Sequence, residues 1–190
     1  MEYYHLSEAN ELFELVQSYE KSILEIGFGN GENTAYLAAE NPNALVVASE
    51  VYLSGIGSLL NSISQNSLSN VKIYDDDVRE LLLKIPNEIF DEIYIICPDP
   101  WPKARHHKRR LIKHDFLKVL ANVLREEGTV YISTDWDNYA ESILEELEKT
   151  KQHFSFDQIS NEGMPITRFQ QRAINEGRSI HTFLLTVLKK

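Results

Sequence analysis

Short apolar runs rich in β-branched and aromatic residues recur along the chain: Ile23-Leu24-Glu25-Ile26, Leu45-Val46-Val47-Ala48, Val71-Lys72-Ile73-Tyr74, Ile93-Tyr94-Ile95-Ile96 and Val130-Tyr131-Ile132. Such runs read as buried strands. Between them the apolar positions repeat at helical spacing, at Tyr36 to Ala39, at Leu53, Ile56, Leu60 and Ile63, at Phe116, Leu117, Leu120 and Leu124, and at Tyr139, Ile143, Leu144 and Leu147. A first helix is expected near Glu8 to Tyr19. Strand and helix in alternation predict an α/β fold with a mostly parallel sheet covered on both faces. The tail breaks the pattern: Phe154 to Ile159 and Ile180 to Leu188 are strand-like and separated by a polar stretch. They are expected to form an antiparallel pair at one edge. Open sheets of this kind bind ligands beyond the carboxyl ends of their strands.

Length sharpens this picture. At roughly 150 residues per domain, 190 residues without repeats or a Pro/Gly-rich linker predict a single domain over 1–190. With 43% hydrophobic and 25% charged residues the chain lies far from disordered or fibrous compositions. No apolar run approaches the roughly 20 residues that cross a bilayer, and Met1 to Glu14 lacks a basic-then-apolar leader, so a cytoplasmic protein without membrane contact is expected. The single cysteine, Cys97, cannot pair within the chain and offers no partner for a Cys-based zinc site. No metal is expected.

A net charge of -10 argues at first against a polyanionic partner. The distribution reverses that inference. Residues 1–102 hold 4 Lys/Arg against 17 Asp/Glu, whereas 103–190 hold 15 against 12. Lys103 to Arg110 carries five cations (Lys103, Arg105, Lys108, Arg109, Arg110) and no acid, with His106 and His107 among them.

Candidate chemistry gathers where the predicted strands end. Gly27-Phe28-Gly29-Asn30-Gly31 follows the first strand, which contains Glu25. Its third glycine comes one place too early for a dinucleotide fingerprint, which favours a nucleoside without a pyrophosphate. Glu50 closes the second strand, where a carboxylate can accept from ribose hydroxyls. Each feature alone reads equally well as a tight turn or a solvated strand end; together they favour S-adenosylmethionine. Asp75-Asp76-Asp77 ends the third strand, and Asp77 is the candidate acceptor for an adenine amino group. Asp75 and Asp76 serve equally well as charges at the start of the next helix. After the fourth strand comes Cys97-Pro98-Asp99-Pro100-Trp101-Pro102 and then the cationic run. Prolines stiffen this loop, joining an acid, a large aromatic and a phosphate-binding surface. Trp101 is either a stacking platform for a splayed base or a packing residue that pins the loop.

These motifs, in this order, resemble the bacterial tRNA (guanine-N7-)-methyltransferase family. The resemblance covers most of the chain: Glu25 to Gly31, Glu50, Asp77, Pro98 to Arg110, Thr134-Asp135 with Tyr139-Ala140, and Thr167 to Arg172. It implies a Rossmann-like class I S-adenosylmethionine-dependent methyltransferase with an antiparallel C-terminal edge strand. It also implies transfer of the methyl group of S-adenosyl-L-methionine to N7 of a tRNA guanosine, guanosine 46 of the variable loop. Glu25, Gly27, Gly29, Gly31, Glu50, Asp77 and Asp99 would line the cofactor site, and Asp99 would be the catalytic position. Lys103, Asp135, Thr167, Arg168, Phe169 and Gln170 would meet the tRNA, and Arg105, Lys108, Arg109 and Arg110 would hold its phosphates. The chain departs from the family at Gln170, where Glu is usual, at Ala173, where Gly is usual, and at Gly177-Arg178-Ser179-Ile180-His181-Thr182, where a His-containing G-H-x-V-x-D-like tail is usual. Family members often carry a basic N-terminal extension, so RNA affinity here is expected to lean more heavily on the loop. Two rival functions fit less of the sequence: methylation of an exocyclic amine, suggested by Asp99-Pro100-Trp101, and a non-enzymatic RNA-binding scaffold.

Overall fold

The computed structural model describes residues 4–6, 9–160 and 165–188. In chain order its elements are α1 (Ala9–Val16), β1 (Lys21–Ile26), α2 (Glu32–Glu40), β2 (Ala44–Ser49), α3 (Leu53–Asn66), β3 (Val71–Tyr74), α4 (Val78–Lys84) and β4 (Phe90–Ile96). A 3-10 helix (Ala104–Arg109) precedes α5 (His114–Val123), β5 (Leu124–Thr134), α6 (Asp137–Glu148), β6 (Phe154–Ile159), α7 (Arg168–Asn175) and β7 (His181–Val187). The first helix ends at Val16 rather than near Tyr19, and Glu8 lies outside the described residues.

The strands form one sheet in the order β3-β2-β1-β4-β5-β7-β6. The pairs β2–β3, β1–β2, β1–β4 and β4–β5 are parallel, and β7 runs antiparallel to both of its neighbours. The last two strands pair antiparallel at one end of the sheet, as the tail pattern predicted. β7 is inserted between β5 and β6, which leaves the more exposed β6 outermost.

The period-two alternation of the strands divides the core between the two sheet faces. Leu24, Ile26, Leu45 and Val47 enter one buried cluster with Ile93, Ile95, Leu117, Leu120, Tyr139 and Phe183. Their sequence neighbours Ile23, Val46 and Ala48 enter the other, beneath Ile56, Leu59 and Ile63 of α3. Full burial of each such Val, Leu or Ile contributes about 1.5–3 kcal/mol, which specifies the register tightly.

Two parts of the fold depart from the apolar pattern. β5 begins at Leu124 rather than Val130, passing through a left-handed residue at Glu127 (φ 62). α7 lies in the stretch that read as merely polar, because only Gln170 and Ala173 of its residues are buried. Among the described residues no helix is long and apolar enough to cross a membrane, and no group of three or more His, Cys, Asp or Glu could hold a metal ion.

Candidate active site

β1 and β4 are adjacent and parallel, with Glu25 opposite Tyr94. The glycine turn and the 97–110 loop therefore leave neighbouring strands at the same edge of the sheet. In the turn Gly27, Gly29 and Gly31 have φ of 73°, 58° and 83°, left-handed backbone that a side chain would strain. A Cβ on Gly31 would also lie 2.7 Å from Leu59. Opposite, α3 presents Gly55, where a Cβ would stand 2.0 Å from the Gly29 carbonyl oxygen. Sequence reasoning missed this close approach. Its signal was a glycine inside a helical pattern, which costs about 1 kcal/mol relative to Ala and implies a packing reason.

Glu50 joins the turn to α3. Its Oε2 accepts the Gly29 N–H at 2.9 Å, and its Oε1 accepts the N–H groups of Val51 and Tyr52 at 2.8 and 3.1 Å. A carboxylate has about four lone-pair sites, so Oε2 keeps one for an external donor. Glu25 is 2% exposed; its carboxylate accepts from Asn33 Nδ2 at 3.1 Å and from Thr34 Oγ1. Burial pushes its pKa up to about 7, against the pull of the Thr34 and Asn33 hydrogen bonds and with the help of the charges on Glu50 and Glu32. A buried acid with a raised folded pKa contributes its full stability below its unfolded value of 4.5 and loses it as pH rises through about 7. Glu25→Gln should remove that loss. Relative to wild type, the variant is expected to gain about 2 to 3 kcal/mol between about pH 5 and about pH 8. Denaturant titrations at the two pH values check this, and an unchanged difference would refute it.

Asp77 caps α4, accepting the Arg79 N–H at 3.0 Å and the Arg79 guanidinium at 2.5 to 3.0 Å. The Arg79 hydrogen bonds hold its carboxyl below the usual carboxylate range. The helix-end role weighed for Asp75 and Asp76 thus falls to Asp77, the acid expected at an adenine ring. Asp75 instead meets His5 Nε2 at 2.9 Å.

In the 97–110 loop, Cys97 (φ 48) and Trp101 (φ 44) hold left-handed backbone on either side of Pro98-Asp99-Pro100. Each such non-glycine residue costs about 1–2 kcal/mol, strain of the kind that collects at functional sites. Asp99 is exposed between them. Burial, with the charge on Asp135, pushes the Cys97 thiol up to about 12, so it stays protonated and is no nucleophile. Trp101 is held within the loop, with the Arg109 guanidinium 4.8 Å over its ring and His106 edge-on at 5.9 Å. Lys103, Arg105, Lys108 and Arg109 are exposed, and none forms an ion pair among the described residues.

Arg110 corrects an expectation. Grouped by sequence with the phosphate contacts, it is 4% exposed and bonded to Pro100 and Asn138, so it does not face solvent as Lys108 and Arg109 do. The 167–170 segment divides similarly. Thr167 and Gln170 form a capping box at the start of α7, with Thr167 N–H donating to Gln170 Oε1 at 3.0 Å and Gln170 N–H to Thr167 Oγ1 at 3.3 Å. Gln170 is 1% exposed, so as placed it is a helix-cap residue and not the surface contact expected of it. The outward residues are Arg168, whose N–H and Nε reach the two carboxylate oxygens of Glu32 at 3.0 and 2.9 Å, and Phe169, whose ring lies against Gly29. Asp135 pairs with Arg178 at 3.2 Å. Glu32 and Arg178 were the partners sequence reasoning missed, since neither is near its mate along the chain.

The strand order with only β7 reversed, the glycine turn after β1 and the acid after β2 define a class I methyltransferase fold. A solved 16S rRNA methyltransferase, KamB, has the same fold with a TM-score of 0.69 at 16% identity, covering 97% of this chain and 96% of that one. Residues 19–183 match the family model described as "Putative methyltransferase". The tRNA (guanine-N(7)-)-methyltransferase of Nitrosospira multiformis is 37% identical over 185 residues, 93% of this chain and 80% of that protein. Its counterpart in Nitrosomonas europaea is 41% identical over 169 residues, 86% of this chain and 75% of that protein. This chain belongs to the tRNA (guanine-N7-)-methyltransferase family.

Proposed function

We propose that this chain transfers the methyl group of S-adenosyl-L-methionine to N7 of a guanosine in tRNA, acting in the cytoplasm as one methyltransferase domain over 1–190; the family resemblance points to guanosine 46 of the variable loop. The observation that carries this reading is the shared sheet edge. A glycine turn set among carboxylates and a proline-stiffened loop bearing Asp99 and four exposed cations leave adjacent parallel strands.

The turn suits the cofactor chemically. Glu25, Glu32 and Glu50 interact electrostatically, and their mutual repulsion adds to the effect of burial on Glu25. A ligand carrying an ammonium and a sulfonium would relieve that repulsion. Gly27, Gly29 and Gly31 would let it approach the backbone closely, Glu50 Oε2 would accept from a ribose hydroxyl, and Asp77 would have to share its Arg79-bound carboxylate to reach the base. The bound cofactor supplies a methyl group already activated for attack.

Guanine N7 carries an in-plane lone pair, so no proton has to be removed first and no general base is required. The protein's contribution is alignment, which can account for roughly 7 to 11 kcal/mol of a barrier. Pro98 and Pro100 stiffen the loop that would present Asp99 to the base edge. As positive charge develops on the guanine ring, the carboxylate of Asp99 would stabilise it, with Asp135 as a second contact. Lys103, Arg105, Lys108 and Arg109 would hold phosphates, and Arg168 and Phe169 would lie where the RNA crosses the glycine turn.

Incubation of unmodified tRNA with isotopically labelled S-adenosylmethionine, followed by nucleoside digestion and mass spectrometry, should place the label on N7-methylguanosine. Label on an N-methylated adenosine, or none at all, would refute the proposal. Arg105→Ala combined with Arg109→Ala should weaken tRNA binding and reduce the slope of log affinity against log salt by about 2, close to 0.9 for each phosphate no longer neutralised. Binding titrations at several salt concentrations measure it; an unchanged slope would remove these arginines from the interface.

A further inference from the structure

Arg109 and Arg110 are neighbours in a cationic run, yet the fold assigns them opposite environments. Arg109 is exposed, whereas the Arg110 guanidinium is buried and pairs with no carboxylate among the described residues. Its partners are neutral. Nε donates to the Pro100 carbonyl oxygen at 2.9 Å, one terminal nitrogen to Asn138 Oδ1 at 2.8 Å, and the other to the Asn138 carbonyl oxygen at 3.4 Å. The guanidinium carbon lies 4.8 Å over the Tyr139 ring. That ring is itself fixed, 0% exposed, with its hydroxyl accepting the Ile112 N–H at 3.1 Å.

A cation taken out of water without a counter-ion is costly unless its donors are used well. Here the planar fork joins two parts of the candidate active-site rim, Nε meeting Pro100 and both terminal nitrogens meeting Asn138. Pro100 immediately follows Asp99 in the loop after β4. Asn138 and Tyr139 belong to the first turn of α6, just beyond Asp135 at the end of β5. Nothing else among the described side-chain hydrogen bonds ties Pro100 to α6.

We propose that Arg110 is a positioning residue for methyl transfer: its guanidinium clamps the Asp99-Pro100 backbone to the start of α6 and so sets the separation of the Asp99 and Asp135 carboxylates. The proposal rests on the reading of Asp99 and Asp135 given above, but the clamp is a property of the protein without substrate. It is distinct from phosphate binding, because the guanidinium is covered.

Arg110→Lys keeps a charge and loses the fork, since a single ammonium cannot span three acceptors placed around a plane. With turnover normalised to cofactor-binding sites counted by calorimetry, Arg110→Lys should lower kcat by about tenfold to a hundredfold, the scale expected for an ångström-sized misplacement. KM for tRNA and the salt slope of binding should stay as in wild type, in contrast to Arg109→Ala, which should lose affinity and flatten the slope. Asn138→Ala, at an exposed residue that leaves folding intact, removes one acceptor and should give a smaller loss of kcat in the same direction. The double variant should be no worse than Arg110→Lys alone. Amide hydrogen exchange across residues 97–102 should quicken in both single variants without any substrate present. The clamp is overturned if exchange is unchanged, if kcat per cofactor site equals wild type, or if the loss falls on tRNA affinity with a flatter slope. Should wild type methylate a base other than guanine, the functional reading fails, while the exchange result and turnover on that base still decide the role of Arg110.

Discussion

Asp99→Ala is expected to lower methyl transfer to tRNA by about two to three orders of magnitude and to leave the fold unchanged. Asp99 is exposed, and its removal opens no cavity, so stability should move by no more than about 0.5 kcal/mol. Catalysis is a different matter, because the charge it would meet develops only as the methyl group passes to guanine. Removing one preorganised group aimed at developing charge typically costs about a hundredfold to a thousandfold in rate. Two residues held in left-handed backbone flank it, and Arg110 grips the carbonyl of the next residue. Single-turnover assays with labelled cofactor, beside thermal melts, test both halves. Turnover near that of wild type would remove Asp99 from the mechanism, and a large drop in melting temperature would show that the loop acid is structural.

The second large effect is expected at Gly55. A Cβ there would stand 2.0 Å from the Gly29 carbonyl oxygen and 3.1 Å from its carbonyl carbon, both backbone atoms of the turn. No side chain can swing aside to relieve that clash, so α3 and the turn must separate. Gly55→Ala should therefore destabilise the protein by about 1–3 kcal/mol, the range for overpacking. It should also weaken S-adenosylmethionine binding by more than about tenfold, since separation would break the Gly29 N–H bond to Glu50. Gly57 in the same helix is the control. A Cβ there meets nothing within 4 Å, so Gly57→Ala should be neutral or stabilising by up to about 1 kcal/mol through helix propensity alone. Calorimetry with the cofactor and denaturant melts of the two variants separate these outcomes; equal behaviour would contradict the packing argument.

Most of the sheet was legible because its strands are continuous apolar runs between helical repeats, and burial on both faces leaves such runs few other arrangements. α7 was not, because six of its eight residues remain unburied and its three apolar residues, Phe169, Ala173 and Ile174, are too few to stand out from a polar stretch. The start of β5 was hidden for a related reason, since Arg125-Glu126-Glu127-Gly128 contains no apolar residue to advertise a strand. In the candidate site, the glycine turn, Glu50, Asp99 and the cationic run were all readable from type and spacing. The pairings Arg168–Glu32, Arg178–Asp135 and Phe169–Gly29 were not, because each depends on where α7 and the start of β7 come to rest.

By itself the amino-acid order determined which chemical groups this protein has and in what succession they meet the ends of the strands. Backbone geometry and hydrophobic burial act over short stretches, and so the glycines, prolines and apolar runs carried that information locally. Only the tertiary structure decided which of two adjacent arginines faces water and which is buried as a clamp. It also decided that Gln170 turns inward as a cap and that α3 touches the turn at Gly55. Exposure and contact arise from elements distant along the chain, whose packing no local spacing encodes.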